Sequence, residues 1–501
     1  MQYFVGVDLG TSSVRALVTD SDGMQRAVAG AQYDVLIPRQ GWAEQDPEEW
    51  YTKTCAVIRE AVQKSGVPAE EIAAVSFSGQ MHGLVALRED GTPAQNAILW
   101  LDQRSGEAID EIYTLLGREW VAQRTQNAIA AGFLLASLYW AKTRAPAFYR
   151  AIRWVFLPKD YIKYRLCGAI VTDYSDAAGS LAFDNAQLAW SDELLDRLGI
   201  AREIFPQVLP STAVVGTVSP QAAGLTGLST RTAVVNGGAD QCMQAVGNGM
   251  VRPGEFASNI GTAGQISTLA SAPVYDPLNR TNTFAHVVPG CWNVMGACLN
   301  SGISRRWISK DILMETDYQA LDAGVAQVPP GSGGLIFLPY LTGERTPHMD
   351  AKARGMFCGL TLKHGRMELE RAVMEGVVFA LKDCLNLLLS LGLPCERIVA
   401  AGGGARSNVW LQMQADIFER PVFRSASSEQ ACLGAALTAA VGYGAFESFE
   451  QACKTCVRPS TETFYPNEKN AAVYREAYEI FRALYPANKA LFARLGALEG
   501  R

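Results

Sequence analysis

The sequence predicts two α/β domains of similar design, because two features of the first half recur in the second. Residues 3–19 read as an apolar strand, a Gly-Thr-Ser-Ser turn and a second strand, and residues 255–270 repeat this form 251 positions later. A helix-like segment, a Gly-x-Pro-x-Glu-x-Ile turn and an apolar strand occur at 47–79 and again at 368–404, at an offset of 326. Two matches in the same order indicate an internal duplication. The alternation of strands and helical segments favours a largely parallel, helix-covered sheet in each domain.

The domain boundary is predicted near residue 248, with an N-terminal domain of 1–248 and a C-terminal domain of 249–501. The two turns are 326 residues apart, whereas the two hairpins are 251 apart. We therefore expect an insertion in the second copy, between its hairpin and its Gly-x-Pro-x-Glu-x-Ile turn. Glycines at 247, 249 and 254 surround the junction and suit a hinge that closes a cleft. From about residue 467 the chain is predicted to be helical, with its packing partner left open.

Composition excludes several classes of function. The chain has 501 residues, 49% of them hydrophobic, and a net charge of −6 without basic runs, which argues against a nucleic-acid or membrane-surface role. The start lacks the features of a signal peptide, and the longest apolar run, 128–141, is too short to span a bilayer. Of eleven cysteines, Cys453 and Cys456 have CxxC spacing without nearby partner ligands, and are expected to be reduced thiols on a helix. We expect a soluble cytoplasmic protein.

Three glycine-containing elements are candidates for holding phosphate and nucleotide. Neither a Walker A loop nor a G-x-G-x-x-G fingerprint is present, so phosphate must be held in another way. A tight turn of small residues lets backbone N–H groups and hydroxyls approach phosphate oxygens. The candidates in the two hairpins are Gly10, Thr11, Ser12, Gly261 and Thr262.

Asp8, at the end of the first strand, is a candidate for holding Mg²⁺ through water. The third element is a run of three glycines, 402–404, after a strand, where a flat ligand can lie against the backbone of Gly403 and Gly404. Ser407 or Asn408 then caps the next helix. An ordinary hairpin with a strand-end aspartate, and a plain strand-to-helix turn, are the alternative interpretations.

In this order the three elements resemble the actin/hexokinase/Hsp70 ATPase superfamily, which has a ribonuclease H-like fold. Residues 355–375, 156–161 and 172–176 are similar to segments of the FGGY carbohydrate kinases, and the resemblance runs from Val5 to about Gly444. It implies two domains with a deep cleft, sugar on the N-terminal side, ATP on the C-terminal side, and Mg²⁺. It also implies that Asn408 lies with the nucleotide-binding residues.

Asp240 is the candidate general base. A hydroxyl is a weak nucleophile, so a kinase needs a carboxylate near it to accept the proton. An apolar strand ends in Gly237 and Gly238 and delivers Asp240 into a space cleared of side chains. An aspartate that caps the next helix is the alternative from the residues alone. The family resemblance implies that Asp240 is the catalytic base and that Gln241 contacts the sugar.

Gln80, Met81 and His82 follow another strand and are the remaining predicted substrate residues. His82 can exchange hydrogen bonds with sugar hydroxyls and Met81 can pack on the carbon chain, although a lone histidine is more often structural. Residues 78–83 and 337–347 are similar to the substrate segments of the family members that act on D-xylulose. Trp100, Asp102 and Arg104 are weaker pocket candidates, and the pair Glu344-Arg345 approaches the cleft or forms a salt bridge between the domains.

The predicted function is therefore ATP-dependent phosphorylation of a small open-chain sugar, with D-xylulose as the favoured acceptor. A kinase for another ketose or polyol, such as ribulose, fuculose or erythritol, shares everything except the pocket near His82. An actin-like or Hsp70-like ATPase shares the nucleotide elements but gives no reason for the Met-His pair. The expected partner is a small-molecule sugar, with no nucleic acid or membrane. The sequence leaves the oligomeric state open, with a homodimer as one alternative.

Overall fold

The computed structural model describes residues 2–426, 429–458 and 462–499. Its first half is built on a seven-stranded sheet, in which Gly238–Ala239 pairs beside one end of Ile72–Gly79. The other six strands lie in the spatial order Val214–Thr217, Ala233–Val235, Ile72–Gly79, Tyr3–Leu9, Ser13–Asp20 and Gln25–Gln32.

The second half contains a seven-stranded sheet of the same plan. Its strands lie in the order Asn282–Ala285, Trp292–Cys298, Gly264–Ala270, Glu255–Ile260, Arg397–Ala401, Val422–Arg424 and Thr463–Phe464. In each sheet the first strand of the hairpin pairs antiparallel with the second and parallel with the strand that follows the Gly-x-Pro-x-Glu turn. The duplicated α/β fold is thus confirmed, while the boundary at residue 248 stays a prediction.

Helices cover both sheets, and short ribbons join the loops between them. The ribbons pair Glu44–Gln45 with Ala97–Ile98, Val85–Leu87 with Trp154–Phe156, Val171–Asp173 with Gln207–Leu209, Phe183–Asp184 with Ala189–Trp190, and Ile336–Leu338 with Met356–Cys358. The α-helices are Pro47–Ser65, Gly106–Leu116, Arg118–Thr125, Leu134–Arg144, Pro146–Arg150, Pro158–Cys167, Tyr174–Gly179, Asp192–Leu198, Pro220–Thr226, Asp240–Gly247, Gly302–Arg306, Tyr318–Val325, Arg366–Ser390, Asn408–Phe418, Gln430–Tyr443, Phe449–Cys456 and Glu468–Glu499. In the described part of the chain, no helix combines the length and apolar composition needed to span a bilayer.

The C-terminal helix packs on the second half. It begins at Glu468, one residue from the predicted start, and buries aromatic side chains in the core of that half. Phe379, on the long helix Arg366–Ser390, lies 5.4 to 6.1 Å between ring centroids from Tyr474, Tyr478 and Phe481. This apolar contact ties the end of the chain to the second sheet.

The two halves meet along the helix Gln430–Tyr443, which packs on the first sheet. Glycines permit this contact: a Cβ added to Gly6 would lie 1.9 Å from the carbonyl oxygen of Cys432, and one added to Gly434 would lie 1.9 Å from that of Met243. Gly247, predicted as a hinge residue, lies in the same contact, because a Cβ added to it would lie 1.9 Å from the carbonyl oxygen of Gln430. Its small size therefore serves close packing, and its role as a hinge stays a prediction.

Candidate active site

Asp8 and Asp240 lie at the same edge of the first sheet, on either side of the strand Ile72–Gly79. Ser78 pairs with Asp8 on one side and with Gly238 on the other, and its hydroxyl donates to Asp8 Oδ1 at 2.6 Å. Burial, and next the negative charge of Asp8, raise the pKa of Asp240 to about 7. Burial also raises the pKa of Asp8, against the effect of the Ser78 hydrogen bond. The sequence brings two carboxylates close enough to influence each other's protonation.

Close backbone packing directs Asp240 into the cleft. Gly237 has φ 82°, and a Cβ there would lie 2.4 Å from the carbonyl oxygen of Phe77, so only glycine fits. The Ala239 N–H donates to Ser175 Oγ at 2.9 Å, which fixes the next peptide. Asp240 is the first residue of the helix Asp240–Gly247, and the cap is Ala239, without a side-chain hydrogen bond. The alternative that Asp240 serves as the N-cap of this helix is therefore wrong.

A cavity of about 280 Å³ opens in front of Asp240 and is called the interdomain cavity here. Both halves contribute to its wall, and the Gln241 Oε1 atom in it is buried without a hydrogen-bond partner. The polar and large apolar residues of the wall are Thr11, Met81, His82, Trp100, Ile129, Phe133, Asp240, Gln241, Asn279, Arg280, Asn282, Phe284, Met295, Arg345, Thr346 and Met349.

His82 is fixed as a neutral ring in this cavity. It has φ 73°, unusual for a residue other than glycine, and its ring stacks on Phe133 with centroids 3.7 Å apart. The Nδ1–H group donates to the carbonyl oxygen of Gly179 at 2.7 Å. Burial lowers the pKa of His82 to about 4, and the charge of Arg345 acts in the same direction, against the effect of the Gly179 hydrogen bond. At neutral pH the other ring nitrogen, Nε2, can therefore accept a hydrogen bond.

Of the predicted substrate residues, Gln80 alone does not line this cavity. It is 2% exposed, accepts from the Thr11 hydroxyl and donates to Gln45 Oε1, both at 3.2 Å. Trp100 also orients the Thr11 hydroxyl, by donating to it from Nε1 at 3.0 Å. Gln80 thus acts on the site through Thr11, and its contact with a sugar stays a prediction.

Asp102 and Arg104 lie outside the cavity, in a buried structural cluster. Arg104 donates to both carboxylate oxygens of Asp102 at 2.8 to 2.9 Å, and its guanidinium stacks 3.6 Å from the ring centroid of Trp42. Glu344 is also buried, and its carboxylate accepts from two backbone N–H groups of the second half. Arg345 points into the cavity, so the predicted salt bridge between the domains is not formed by this pair in the described residues.

A second cavity, of about 600 Å³, lies on the second half and is called the C-terminal cavity. Four of the predicted nucleotide residues line it, namely Gly261, Thr262, Gly403 and Gly404. Asn408 does not: its Oδ1 accepts from Arg424, and Ser407 caps the helix by accepting from the Trp410 N–H at 3.2 Å. Sequence reasoning missed the rest of the polar and aromatic wall, namely Arg305, Arg306, Tyr318, Gln319, Asp322, Arg406 and Trp410.

The glycine run beside this cavity has a packing role as well as an open face. Gly402 has φ 78°, and a Cβ there would lie 2.3 Å from Asn259 Oδ1. A Cβ on Gly404 would lie 2.6 Å from the Cβ of Ile260, whereas one on Gly403 has its nearest neighbour at 3.8 Å. Gly402 and Gly404 therefore bring the loop against the strand Glu255–Ile260, and Gly403 leaves room for a ligand.

Two sheets of the same plan, each headed by a Gly-Thr hairpin, with a cavity whose wall both halves supply, define the ribonuclease H-like, actin-like architecture of two-domain sugar kinases. Residues 3–247 match the N-terminal domain and residues 257–443 the C-terminal domain of the FGGY family of carbohydrate kinases. The chain belongs to this family, as the sequence predicted.

Similar proteins cover nearly the whole chain. A xylulose kinase of Bacillus subtilis (strain 168) is 35% identical over 491 residues, which are 98% of this chain and 98% of that protein. The crystal structure of xylulose kinase from Rhodospirillum rubrum has a TM-score of 0.92 at 31% identity and covers 98% of this chain and 100% of that one. That of gluconate kinase from Lactobacillus acidophilus has a TM-score of 0.93 at 28% identity, over 99% of each chain.

Proposed function

We propose that this kinase transfers the γ-phosphoryl group of ATP to D-xylulose and releases D-xylulose 5-phosphate and ADP. The observation that carries the proposal is the position of Asp240, a carboxylate of raised pKa in the wall of a cavity large enough for a pentulose. Similarity to xylulose kinases over nearly the full length supports the choice of acceptor. Gluconate is the rival acceptor, because a gluconate kinase structure is equally similar in fold.

Asp240 is proposed to accept the proton of the acceptor hydroxyl as its oxygen attacks the γ-phosphorus. The new oxygen–phosphorus bond forms while the bond between the γ-phosphorus and the bridging oxygen breaks, and ADP leaves with the electron pair. His82 Nε2 accepts a hydrogen bond from an acceptor hydroxyl, and Met81 and Phe133 contact the carbon chain. These contacts position the hydroxyl in a site where positioning provides much of the rate.

The nucleotide is proposed to bind in the C-terminal cavity, with its phosphates near the hairpin residues Gly261 and Thr262. Of the first hairpin, Thr11 lines the interdomain cavity. The contact of Gly10 and Ser12 with phosphate stays a prediction. Asp8 fits the water-mediated binding of Mg²⁺, since its carboxylate has one oxygen engaged by Ser78 and stands beside a second carboxylate. Mg²⁺ would neutralise phosphate charge during transfer.

The pH dependence follows from the raised pKa of Asp240. A base acts only when deprotonated, so kcat/KM for the acceptor is expected to fall about tenfold per pH unit below about pH 7 and to level off above it. Mg²⁺ held at Asp8 would offset the negative charge of that carboxylate and move the fall in activity to lower pH. The His82→Asn variant is expected to be less active but to show the same fall in kcat/KM at low pH. Burial lowers the pKa of His82 to about 4, so His82 does not cause that fall. A profile that is flat from pH 5 to 8 contradicts the assignment.

The acceptor is tested by a coupled assay of ADP release from Mg·ATP with D-xylulose, D-ribulose, L-ribulose, glycerol and gluconate. We expect the largest kcat/KM with D-xylulose. A larger value with another sugar leaves the family assignment intact and overturns the choice of D-xylulose. Release that no acceptor stimulates above the basal rate contradicts the proposed function.

A further inference from the structure

Arg345 is an unpaired cation in the wall of the interdomain cavity, contributed by the second half. Its guanidinium has neither an ion-pair partner nor a hydrogen-bond acceptor within residues 2–426, 429–458 and 462–499, and it is solvent-accessible. The neighbouring Arg280 differs, since Asp276 binds its Nε and Nη2 groups at 2.8 Å each. A cation without a partner in a cavity for a small polar molecule is available to that molecule.

Asn279 contributes an unpaired acceptor to the same wall. Its Oδ1 is buried and has no hydrogen-bond partner, and its backbone has φ 54°, in the left-handed region that asparagine tolerates. The backbone N–H donates to the carbonyl oxygen of Asp276 at 2.8 Å, which holds the turn. A buried amide oxygen without a donor is unfavourable unless a ligand supplies one.

The protein holds the backbone of these two residues in place before any ligand binds. The Thr346 hydroxyl donates to the carbonyl oxygen of Arg280 at 2.6 Å and accepts from the Ala297 N–H at 3.1 Å, so the two loops are joined at one strand. Glu344 Oε1 accepts from the N–H groups of Leu299 and Arg345 at 2.8 and 2.7 Å. The backbone that carries Arg345 is therefore fixed relative to Asn279.

Arg345 and Asn279 enter the cavity from the half opposite to Asp240. Asp240 follows the strand Gly238–Ala239 at the edge of the first sheet, whereas the loops of Arg345 and Asn279 are joined at Ala297, on the strand Trp292–Cys298 of the second sheet. A linear acceptor that spans the cavity with its reacting hydroxyl at Asp240 therefore extends its other end towards Arg345 and Asn279. In D-xylulose that other end is a hydroxymethyl ketone.

We propose that Arg345 and Asn279 recognise the hydroxymethyl ketone of the acceptor, with the guanidinium donating to the C2 carbonyl oxygen and Asn279 Oδ1 accepting from the C1 hydroxyl. The inference rests on the proposed function and extends it to the opposite end of the substrate. Reduction of C2 replaces a planar carbonyl, which only accepts hydrogen bonds, by an alcohol. The hydroxyl proton of this alcohol can face the Arg345 guanidinium, which is unfavourable. Removal of the C1 hydroxyl leaves Asn279 Oδ1 unpaired, and sites built around a buried polar partner reject analogues that lack it.

The test compares D-xylulose with its C2-reduced forms, D-arabitol and xylitol, and with 1-deoxy-D-xylulose. In Arg345→Gln, kcat/KM for D-xylulose is expected to fall about 10- to 100-fold, and that for the two polyols less than about threefold. In Asn279→Ala, kcat/KM is expected to fall about tenfold for D-xylulose and to change little for 1-deoxy-D-xylulose. Arg88→Gln, on the surface outside both cavities, is the control and is expected to leave every value unchanged.

Equal losses for ketose and polyol in Arg345→Gln, or no loss, overturn the inference while wild-type activity on D-xylulose leaves the proposed function standing. Absence of wild-type activity on D-xylulose would contradict the proposed function, and with it the inference that rests on it. The KM for ATP in both variants is expected to stay within about twofold of the wild-type value, and a larger change would assign these residues to nucleotide binding instead.

Discussion

Replacing Asp240 with Asn is expected to lower kcat for sugar phosphorylation about a thousandfold, within the range that general bases contribute. The amide has nearly the same shape but cannot accept a proton from the attacking hydroxyl. Because Asp240 and Asp8 repel each other, the substitution removes an unfavourable charge and is expected to leave the fold stable. Steady-state kinetics with D-xylulose and Mg·ATP measure the loss, and equilibrium binding of D-xylulose and ADP shows that the site is intact.

Asp192→Asn is the matched control for this substitution. Asp192 is also the first residue of a helix, Asp192–Leu198, but it is exposed and outside both cavities. Its replacement is expected to leave kcat unchanged. An Asp240→Asn enzyme that retains more than about a tenth of wild-type kcat would exclude Asp240 as the base, since even weak general bases contribute more than this.

Replacing Lys159 with Met is expected to destabilise the protein by about 3–5 kcal/mol, the usual cost of breaking a buried ion pair. Lys159 is 1% exposed, and its ammonium group lies 2.7 Å from Asp160, 2.9 Å from Asp173 and 3.0 Å from Asp176. Without it, Asp160 keeps its ion pair with Lys163 at 2.9 Å, whereas Asp173 and Asp176 lose the lysine with which they pair. Urea unfolding at pH 7 measures the change in the free energy of unfolding.

This buried network also supports the turn that carries Asp240. The carboxylate of Asp173 accepts from the Ser175 N–H at 2.8 Å and from the Ser211 hydroxyl at 3.0 Å, and Ser175 Oγ accepts from the Ala239 N–H. We therefore expect the Lys159→Met variant to lose kcat even at temperatures where it remains folded. Asp176→Asn in the same chain is expected to restore part of the stability, because it removes one unpaired carboxylate.

Lys53→Met is the control for the lysine substitution. Lys53 pairs with Glu49 on the surface of the helix Pro47–Ser65 at 2.8 Å, and such pairs contribute little. Its loss is expected to change the free energy of unfolding by less than about 0.5 kcal/mol. Equal destabilisation by the two substitutions would contradict the structural role given to the buried network.

Local sequence patterns predicted the duplicated α/β fold and the placement of residues at the strand ends, whereas the ribonuclease H-like class and the roles of Asp240 and His82 came from the family resemblance. The hairpins around Gly10 and Gly261 and the repeated Gly-x-Pro-x-Glu turn are each formed within a few residues, so their geometry is encoded locally. Asp240 and His82 follow strands that end in glycine, and both lie in the cavity wall. A short buried strand that ends in a glycine places the next polar residue at the sheet edge, which is why these predictions were possible.

Residues brought to the cavities by long loops could not be predicted in this way. The approach of Arg345 to the cleft was one of two alternatives that the sequence left open, whereas Asn279 was not predicted. The loop of Asn279 is joined to that of Arg345 by the hydrogen bond from Thr346 to the carbonyl oxygen of Arg280, a contact that no spacing in the sequence encodes. The direction of a side chain at a strand end is also a tertiary property: Gln80 turns inward to Thr11 and Gln45, although the adjacent Met81 and His82 line the cavity.

The proposed reaction is tested most directly by following the phosphoryl group itself. The wild-type enzyme is supplied with Mg²⁺, ATP labelled with ³²P at the γ-phosphate, and D-xylulose, and the product is analysed by chromatography and ³¹P NMR. We expect one labelled pentulose monophosphate, esterified at the C5 oxygen, for each ADP formed, and almost none of it with Asp240→Asn. Label recovered only as inorganic phosphate, or at the same rate without the sugar, would contradict the claim that this protein is a D-xylulose kinase.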